Sequence, residues 1–190
     1  MIESINIYKC RNVRTPARGH EGDAGLDFFV PEYSKDYLND LIKCNVDKKN
    51  IGLDENGEFL STSVLFRDDP DDSDNKFIII LPNGSILIPS GIKMAIPENY
   101  AGIFMNKSGV ASKKKLLVGA CVVDYGYTGE VHINLHNTSN NIIRIEYGEK
   151  ITQMVIQPII TPTINNVYLE TDLYGEETER GDGGFGSTND

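Results

Sequence analysis

The sequence predicts an all-β barrel or sandwich, and three observations carry that prediction. Short apolar runs rich in Val, Ile, Phe and Tyr recur along the chain, each bounded by Gly, Pro or Asn, as short strands joined by tight turns require. The segment "EVHINLHN" alternates apolar Val131, Ile133 and Leu135 with His132, Asn134 and His136, a period of two that turns one face to a core and the other away from it. In "LPNGSILI", Asn83-Gly84 stands between two apolar runs, the pattern of a two-residue hairpin.

In chain order the expected strands are "SINIYKC", "GLDFFVP", "KFIIILP", "SILIP", "GIKMAIP", "YAGIFM", "LLVGACVV", "EVHINLHN", "IIRIEY" and "KITQMVIQPII". One segment has helical spacing. In "SKDYLNDLIKCN", Ser34 suits the N-cap, and Tyr37, Leu38, Leu41 and Ile42 form an apolar stripe. This helix opens a region, 33–76, in which acidic residues gather around turn formers, as in "RDDPDDSD". That stretch lacks the spaced ligands, central Gly and final Glu of an EF-hand, and it reads as an exposed loop. An insertion of this size exceeds ordinary loop lengths and is expected to have structure or a role, such as binding a protein partner. The closing "EETERGDGGFGSTND" shows no periodicity and reads as a flexible arm, 174–190.

Composition narrows the function classes. The 190 residues suit a single domain, and 28 Asp and Glu against 18 Lys and Arg give a net charge of −10. That sign is wrong for a protein that neutralises a nucleic-acid backbone, although a small polyphosphate can still be met by local cations, glycine-loop amides and a divalent metal. No apolar run approaches the roughly 18 residues of a membrane span, and the first residues lack a signal-peptide core, so a cytoplasmic protein is expected. Cys10, Cys44 and Cys121 are odd in number and have no C-x-x-C spacing, which suggests thiols rather than disulfides or zinc. His132 and His136 share the polar face of a strand rather than a helical metal pair.

Five stretches do not look like strand filler: "DAGLDFF", "NKSGVASKK", "GACVVDYGYTGE", "GEKITQMVI" and "RGDGGFGST". Each alone reads as a glycine-containing turn between strands. Asp124, after an apolar run, is either a turn cap or a carboxylate able to polarise a water, and Tyr127 is either packing or a ligand platform. In order and content the five together resemble the trimeric dUTPase family, across nearly the whole chain except about residues 33–76.

The resemblance implies a jelly-roll-like, β-clip barrel in a homotrimer with shared sites, hydrolysing dUTP to dUMP and pyrophosphate with Mg²⁺. It would make Asp124 the base that activates water against the α-phosphorus, and Tyr127 the platform beneath the deoxyribose. The hairpin from Val118 through Cys121 to Val122 would read the uracil edge through its main chain. Ser108 and Gly109 would contact the phosphates, while Lys107 stands where the family has an arginine and so lacks the bidentate fork. Gln153 would be a phosphate or site contact, and Asp27 would hold a water of the metal. Glu149 and Lys150 match the family's acidic-basic pair but also read as turn charges. On the arm, Arg180 would reach the γ-phosphate, Phe185 would stack on uracil, and Gly183, Gly184, Gly186, Ser187 and Thr188 would wrap the triphosphate. The related dCTP deaminases carry a catalytic glutamate where Asn134 stands here, and an amide cannot shuttle a proton.

Overall fold

The computed structural model describes residues 4–45, 52–53, 59–60, 64–68, 76–176, 178 and 181. The chain divides into two units, Met1–Ile159 and Ile160–Asp190. Among the described residues the first unit is built from strands β1 (Ile7–Lys9), β2 (Leu26–Phe29), β3 (Gly52–Leu53), β4 (Phe59–Leu60), β5 (Val64–Asp68), β6 (Lys76–Ile80) and β7 (Ser85–Pro89). They are followed by β8 (Ile92–Met94), β9 (Tyr100–Met105), β10 (Leu116–Val118), β11 (Val122–Val123), β12 (His132–Asn137), β13 (Ile143–Glu146) and β14 (Lys150–Pro158). Helix α1 (Lys35–Asn45) and a single wide turn of π type, Val110–Lys114, complete it.

The strands form small antiparallel sheets in the orders β10-β12-β7, β11-β9-β14-β2 and β13-β6-β5, with the pairs β1-β8 and β3-β4. The fold is all-β, as the sequence pattern predicts, and fits the jelly roll that the family resemblance implies. Alternation in β12 holds, since Ile133 and Leu135 are buried while His132, Asn134 and His136 are not. One buried cluster joins the sheets, including Phe28, Ile78, Ile80, Ile88, Phe104, Leu135, Ile145 and Met154. Within it Phe28 meets Phe104 edge to face at 5.0 Å.

Two local expectations turn out differently. Asn83 adopts φ 58 and Gly84 N–H bonds the Leu81 carbonyl, so the Asn-Gly turn is present. Its flanking strands do not pair, however: β6 lies between β13 and β5, and β7 lies beside β12. The turn is a crossing between sheets, because the apolar faces of both runs find longer-range partners in the core. The second difference is β5, whose register opposite β6 runs from Val64↔Ile80 to Asp68↔Lys76. Its five residues are hidden in the sequence by the acidic clusters around them.

Helix α1 forms as its sequence requires. Tyr37 N–H donates to Ser34 Oγ at 3.2 Å, a side-chain cap on the first turn. The stripe then buries Tyr37 and Leu41 in the core cluster, so the start of the 33–76 region is fastened to the barrel. At its end Asn45 Nδ2 donates to the Leu87 carbonyl at 2.8 Å, and Asn45 Oδ1 accepts from Leu87 N–H at 2.7 Å. Tyr33 stacks on Tyr37 at 5.8 Å and donates its hydroxyl to the Ile145 carbonyl. The buried Tyr37 hydroxyl has no partner among the described residues. An orphaned buried hydroxyl costs about 1–3 kcal/mol; Tyr37→Phe is therefore expected to leave thermal stability unchanged or raise Tm by about 2–4 °C, measured by calorimetry.

Among its described residues the second unit carries one short 3₁₀ turn, Glu170–Asp172. Its apolar side chains Ile160, Ile164, Tyr168, Leu173 and Tyr174 are exposed.

Candidate active site

The site begins on β2 and β14. In a regular strand Lys150 and Gln153, an odd number apart, would face opposite ways. The register of β14 against β2 shifts between Lys150 and Thr152, giving Lys150↔Phe29 and Gln153↔Asp27. This bulge turns both side chains to the face of Asp27 and Phe29, as an extra residue in one strand does. Lys150 Nζ lies 2.8 Å from Asp27 Oδ2, and Nζ of Lys107, two residues beyond β9, lies 2.6 Å from Asp27 Oδ1. Asp27 is thus a buried carboxylate clamped by two ammonium groups. Burial resists its ionisation, but the hydrogen bonds from Lys107 and Lys150 outweigh this and hold its pKa below the ordinary value.

Asn106 joins this cluster to the next. Its carbonyl accepts from Gln153 Nε2 at 3.0 Å, while its Oδ1 accepts from Val118 N–H at 2.7 Å. Residues 118–122 connect β10, paired with β12, to β11, paired with β9, so the expected uracil hairpin has its two legs in different sheets. Asn134 supports the crossing: its carbonyl accepts from Gly119 N–H at 2.9 Å and its Oδ1 from Ala120 N–H at 3.3 Å. The residue standing where a deaminase keeps its glutamate is therefore engaged in holding this loop. Val122 is exposed and Val118 partly so.

The third cluster is a tight turn. Tyr127 N–H bonds the Asp124 carbonyl at 3.3 Å, and Gly126, at φ +81, occupies the position of a type II turn that requires a left-handed residue. Asp124 and Tyr127 therefore sit at the two ends of one turn, both exposed. Tyr127 Oη donates to the Glu130 carbonyl at 2.9 Å, which folds the ring over Gly129. A Cβ at Gly129 would overlap the Tyr127 hydroxyl and Cζ. Gly129→Ala is expected to displace the ring, read as a shift of the Tyr127 ring resonances in NMR spectra beside an unchanged far-UV spectrum.

Ser108 and Gly109 open the wide turn Val110–Lys114 and are exposed, and Ala111 N–H closes back on the Lys107 carbonyl at 2.9 Å. Arg180, Gly183, Gly184, Phe185, Gly186, Ser187 and Thr188 lie outside the described residues.

A family model for dUTPase matches residues 73–189. The chain belongs to the dUTPase family. The matched stretch holds all three clusters except Asp27, which lies before it, as does helix α1. Among curated dUTPase-family relatives, the deoxyuridine 5'-triphosphate nucleotidohydrolase of Yarrowia lipolytica is 42% identical over 106 residues, covering 56% of this chain and 66% of that one. Its Arabidopsis thaliana counterpart is 41% identical over 55% of this chain and 60% of its own, so the match spans under two thirds of these two relatives. In fold, the chain is similar to a Staphylococcus bacteriophage 80alpha dUTPase with dUPNHPP, with a TM-score of 0.69 at 24% identity over 99% of both chains. The phage phi11 dUTPase of S. aureus gives 0.59 at 22% identity over 87% of this chain and 97% of that one.

For a dUTPase-family chain, the fit of Mg²⁺ to these residues can be weighed from their charges. Both Asp27 oxygens are occupied by ammonium groups, and no group of three or more His, Cys, Asp or Glu gathers to hold a metal among the described residues. Among the described residues the two lysines thus take the place of direct metal ligation at Asp27. Sequence reasoning leaves Lys150 open between a pair with Glu149 and a turn charge, and assigns no role to Asn106 or Glu130. Lys150 is hidden by the bulge, which breaks the two-residue period that assigns faces. Glu149, its apparent partner in sequence, pairs instead with Lys114.

Proposed function

We propose that this chain hydrolyses dUTP to dUMP and pyrophosphate, acting as a homotrimer in the cytoplasm to clear dUTP and supply dUMP for dTMP synthesis. Family membership supports the reaction, and the observation that carries its placement is the turn that holds Asp124 and Tyr127 three residues apart, beside the supported loop 118–122. Curated relatives bear the name deoxyuridine 5'-triphosphate nucleotidohydrolase, and the 80alpha enzyme was solved with dUPNHPP.

In this reading the Asp124 carboxylate orients a water and takes its proton as the oxygen attacks the α-phosphorus, with pyrophosphate leaving. Tyr127 lies beneath the deoxyribose and leaves no room for a 2′-hydroxyl. The main chain from Val118 to Val122 reads the uracil edge, where an unmatched polar group would be costly. Lys107, Ser108, Gly109 and Gln153 meet the phosphates, Lys107 as a point charge rather than a fork. Arg180, Phe185 and the glycine-rich arm close over the nucleotide and exclude bulk water. The exposed apolar side chains at 160–174 support burial of the segment that leads into the arm against another copy. The phi11 enzyme is described with a structural Mg(II) ion; here dUTP is taken as its Mg²⁺ complex, since Asp27 is already neutralised twice and Mg²⁺ readily keeps phosphate and water ligands.

Pyrophosphate release from dUTP, dCTP, dTTP and UTP, each with Mg²⁺, tests the reading. Turnover of dUTP alone is expected. Release from none of the four would overturn it, and equal release from dUTP and dCTP would overturn the base-reading role of the loop.

A further inference from the structure

Helix α1 lies in a region that the family match leaves out, yet a chain of charged contacts joins it to the turn carrying Tyr127. Arg11, just after β1, donates through Nε to Glu130 Oε1 at 2.7 Å and through Nη2 to Glu130 Oε2 at 2.8 Å. The same Nη2 donates to Asp40 Oδ2 on α1 at 3.0 Å. The pairing of Arg11 with Glu130 is bidentate, the form that fixes orientation as well as charge. Arg11 and Glu130 are 19% and 14% exposed, so screening by water is limited, while Asp40 is 39% exposed. Glu130 is held from a third side, its Oε1 accepting from Gly91 N–H at 2.7 Å. The guanidinium also lies 5.5 Å from the centre of the Tyr37 ring, itself buried in the core.

Glu130 carries the connection to the site through its backbone. Its carbonyl accepts both the Tyr127 hydroxyl at 2.9 Å and His132 Nδ1 at 2.8 Å. The Tyr127 ring is exposed, so its hydroxyl anchor, together with the space over Gly129, decides where it rests. Any rotation of residue 130 moves that anchor. Asp40, Arg11, Glu130 and Tyr127 thus form one continuous path, drawn from separate parts of the sequence.

We propose that Arg11 and Glu130 are positioning residues for the Tyr127 ring and that Asp40, on helix α1 and itself paired with Lys43, fixes the Arg11 guanidinium from its other side, so that helix α1 sets the strictness with which the site rejects ribonucleotides. The inference rests on Tyr127 being the sugar platform. Asp40 is the handle by which the helix acts: it is the most exposed of the three charged members, its carboxyl is held below its ordinary pKa by Lys43 and Arg11, and it touches neither substrate nor the reacting atoms.

The test compares kcat/KM for dUTP and UTP, with Tm, in the full chain and in Tyr127→Ala, Arg11→Met, Asp40→Asn and the double variant Arg11→Met/Tyr127→Ala. Tyr127→Ala is expected to lower the dUTP to UTP ratio at least ten-fold, Arg11→Met about ten-fold and Asp40→Asn about two- to five-fold, since coupled neighbours interact on this scale. The double variant is expected to discriminate no worse than Tyr127→Ala, because both changes act on one ring. A general loss of structure would lower both substrates together and leave the ratio alone. If Tyr127→Ala moves the ratio and neither Arg11→Met nor Asp40→Asn does, the positioning path is overturned and the platform stands. If Tyr127→Ala itself leaves the ratio unmoved, the platform reading fails and the inference falls with it. Should Arg11→Met not fold, the surface variant Asp40→Asn still decides the question through the same ratio.

Discussion

Asp124→Asn is expected to reduce kcat for dUTP about 10²- to 10⁴-fold, the range that loss of a positioned general base produces. KM should change little, because Asn keeps the size and hydrogen-bonding reach of the side chain while losing the ability to take a proton. Stability should hold as well: Asp124 is exposed, and the turn it opens is closed by its carbonyl, not its carboxylate. Parallel measurements of pyrophosphate release and Tm separate these effects. An unchanged kcat would remove Asp124 from the chemistry and leave it as a turn residue.

Asp27→Ala is expected to affect both folding and turnover. The carboxylate side chain is 5% exposed, against 30% for Lys107 and 42% for Lys150. Breaking a fully buried ion pair costs about 3–5 kcal/mol, but here the orphaned lysines can swing into water. A loss of about 1–3 kcal/mol is therefore the expected size. The pH dependence has a definite sign. The folded pKa of Asp27 lies below its ordinary 3.8, so its contribution is complete above that value and fades as pH falls through the lower folded one. The gap in Tm between wild type and Asp27→Ala should be constant from about pH 5 to 7 and narrow in more acid solution. Turnover should fall too, because Lys107 loses the group that fixes its ammonium beside the Gln153 and Asn106 cluster. A wild-type turnover rate in Asp27→Ala would show that the clamp serves only the fold.

Much of this architecture was legible from local pattern. Strands such as β12 follow from strict alternation, and α1 follows from its stripe and Ser34 cap, because both signals depend on neighbours in sequence. The turn at Asn83-Gly84 was equally legible, but the pairing of its flanks was not. Turn chemistry fixes a reversal, whereas the partner of an apolar strand is chosen by distant burial. The same limit hid Lys150, whose facing depends on a bulge that no residue type announces, and the pairing of Arg11 with Glu130, separated by 119 positions. Of the expected site, the structure joins Asp27 with Lys107, links Gln153 through Asn106 to Val118, and puts Asp124 and Tyr127 on one turn. The arm residues from Arg180 onward, Gly181 apart, lie outside the described residues.

The two hydrogen bonds between Asn45 and Leu87 have a consequence for how this protein can be altered. Among the described residues β7 is paired on one side only, by β12, and its other side is a row of peptide groups of the kind onto which stray strands add. Asn45 mimics one residue of a neighbouring strand and stops that row. Cutting out 33–76 would thus uncover this margin and favour self-association. A shortened chain that keeps α1 through Asn45 and loses only the rest of the region retains the guard.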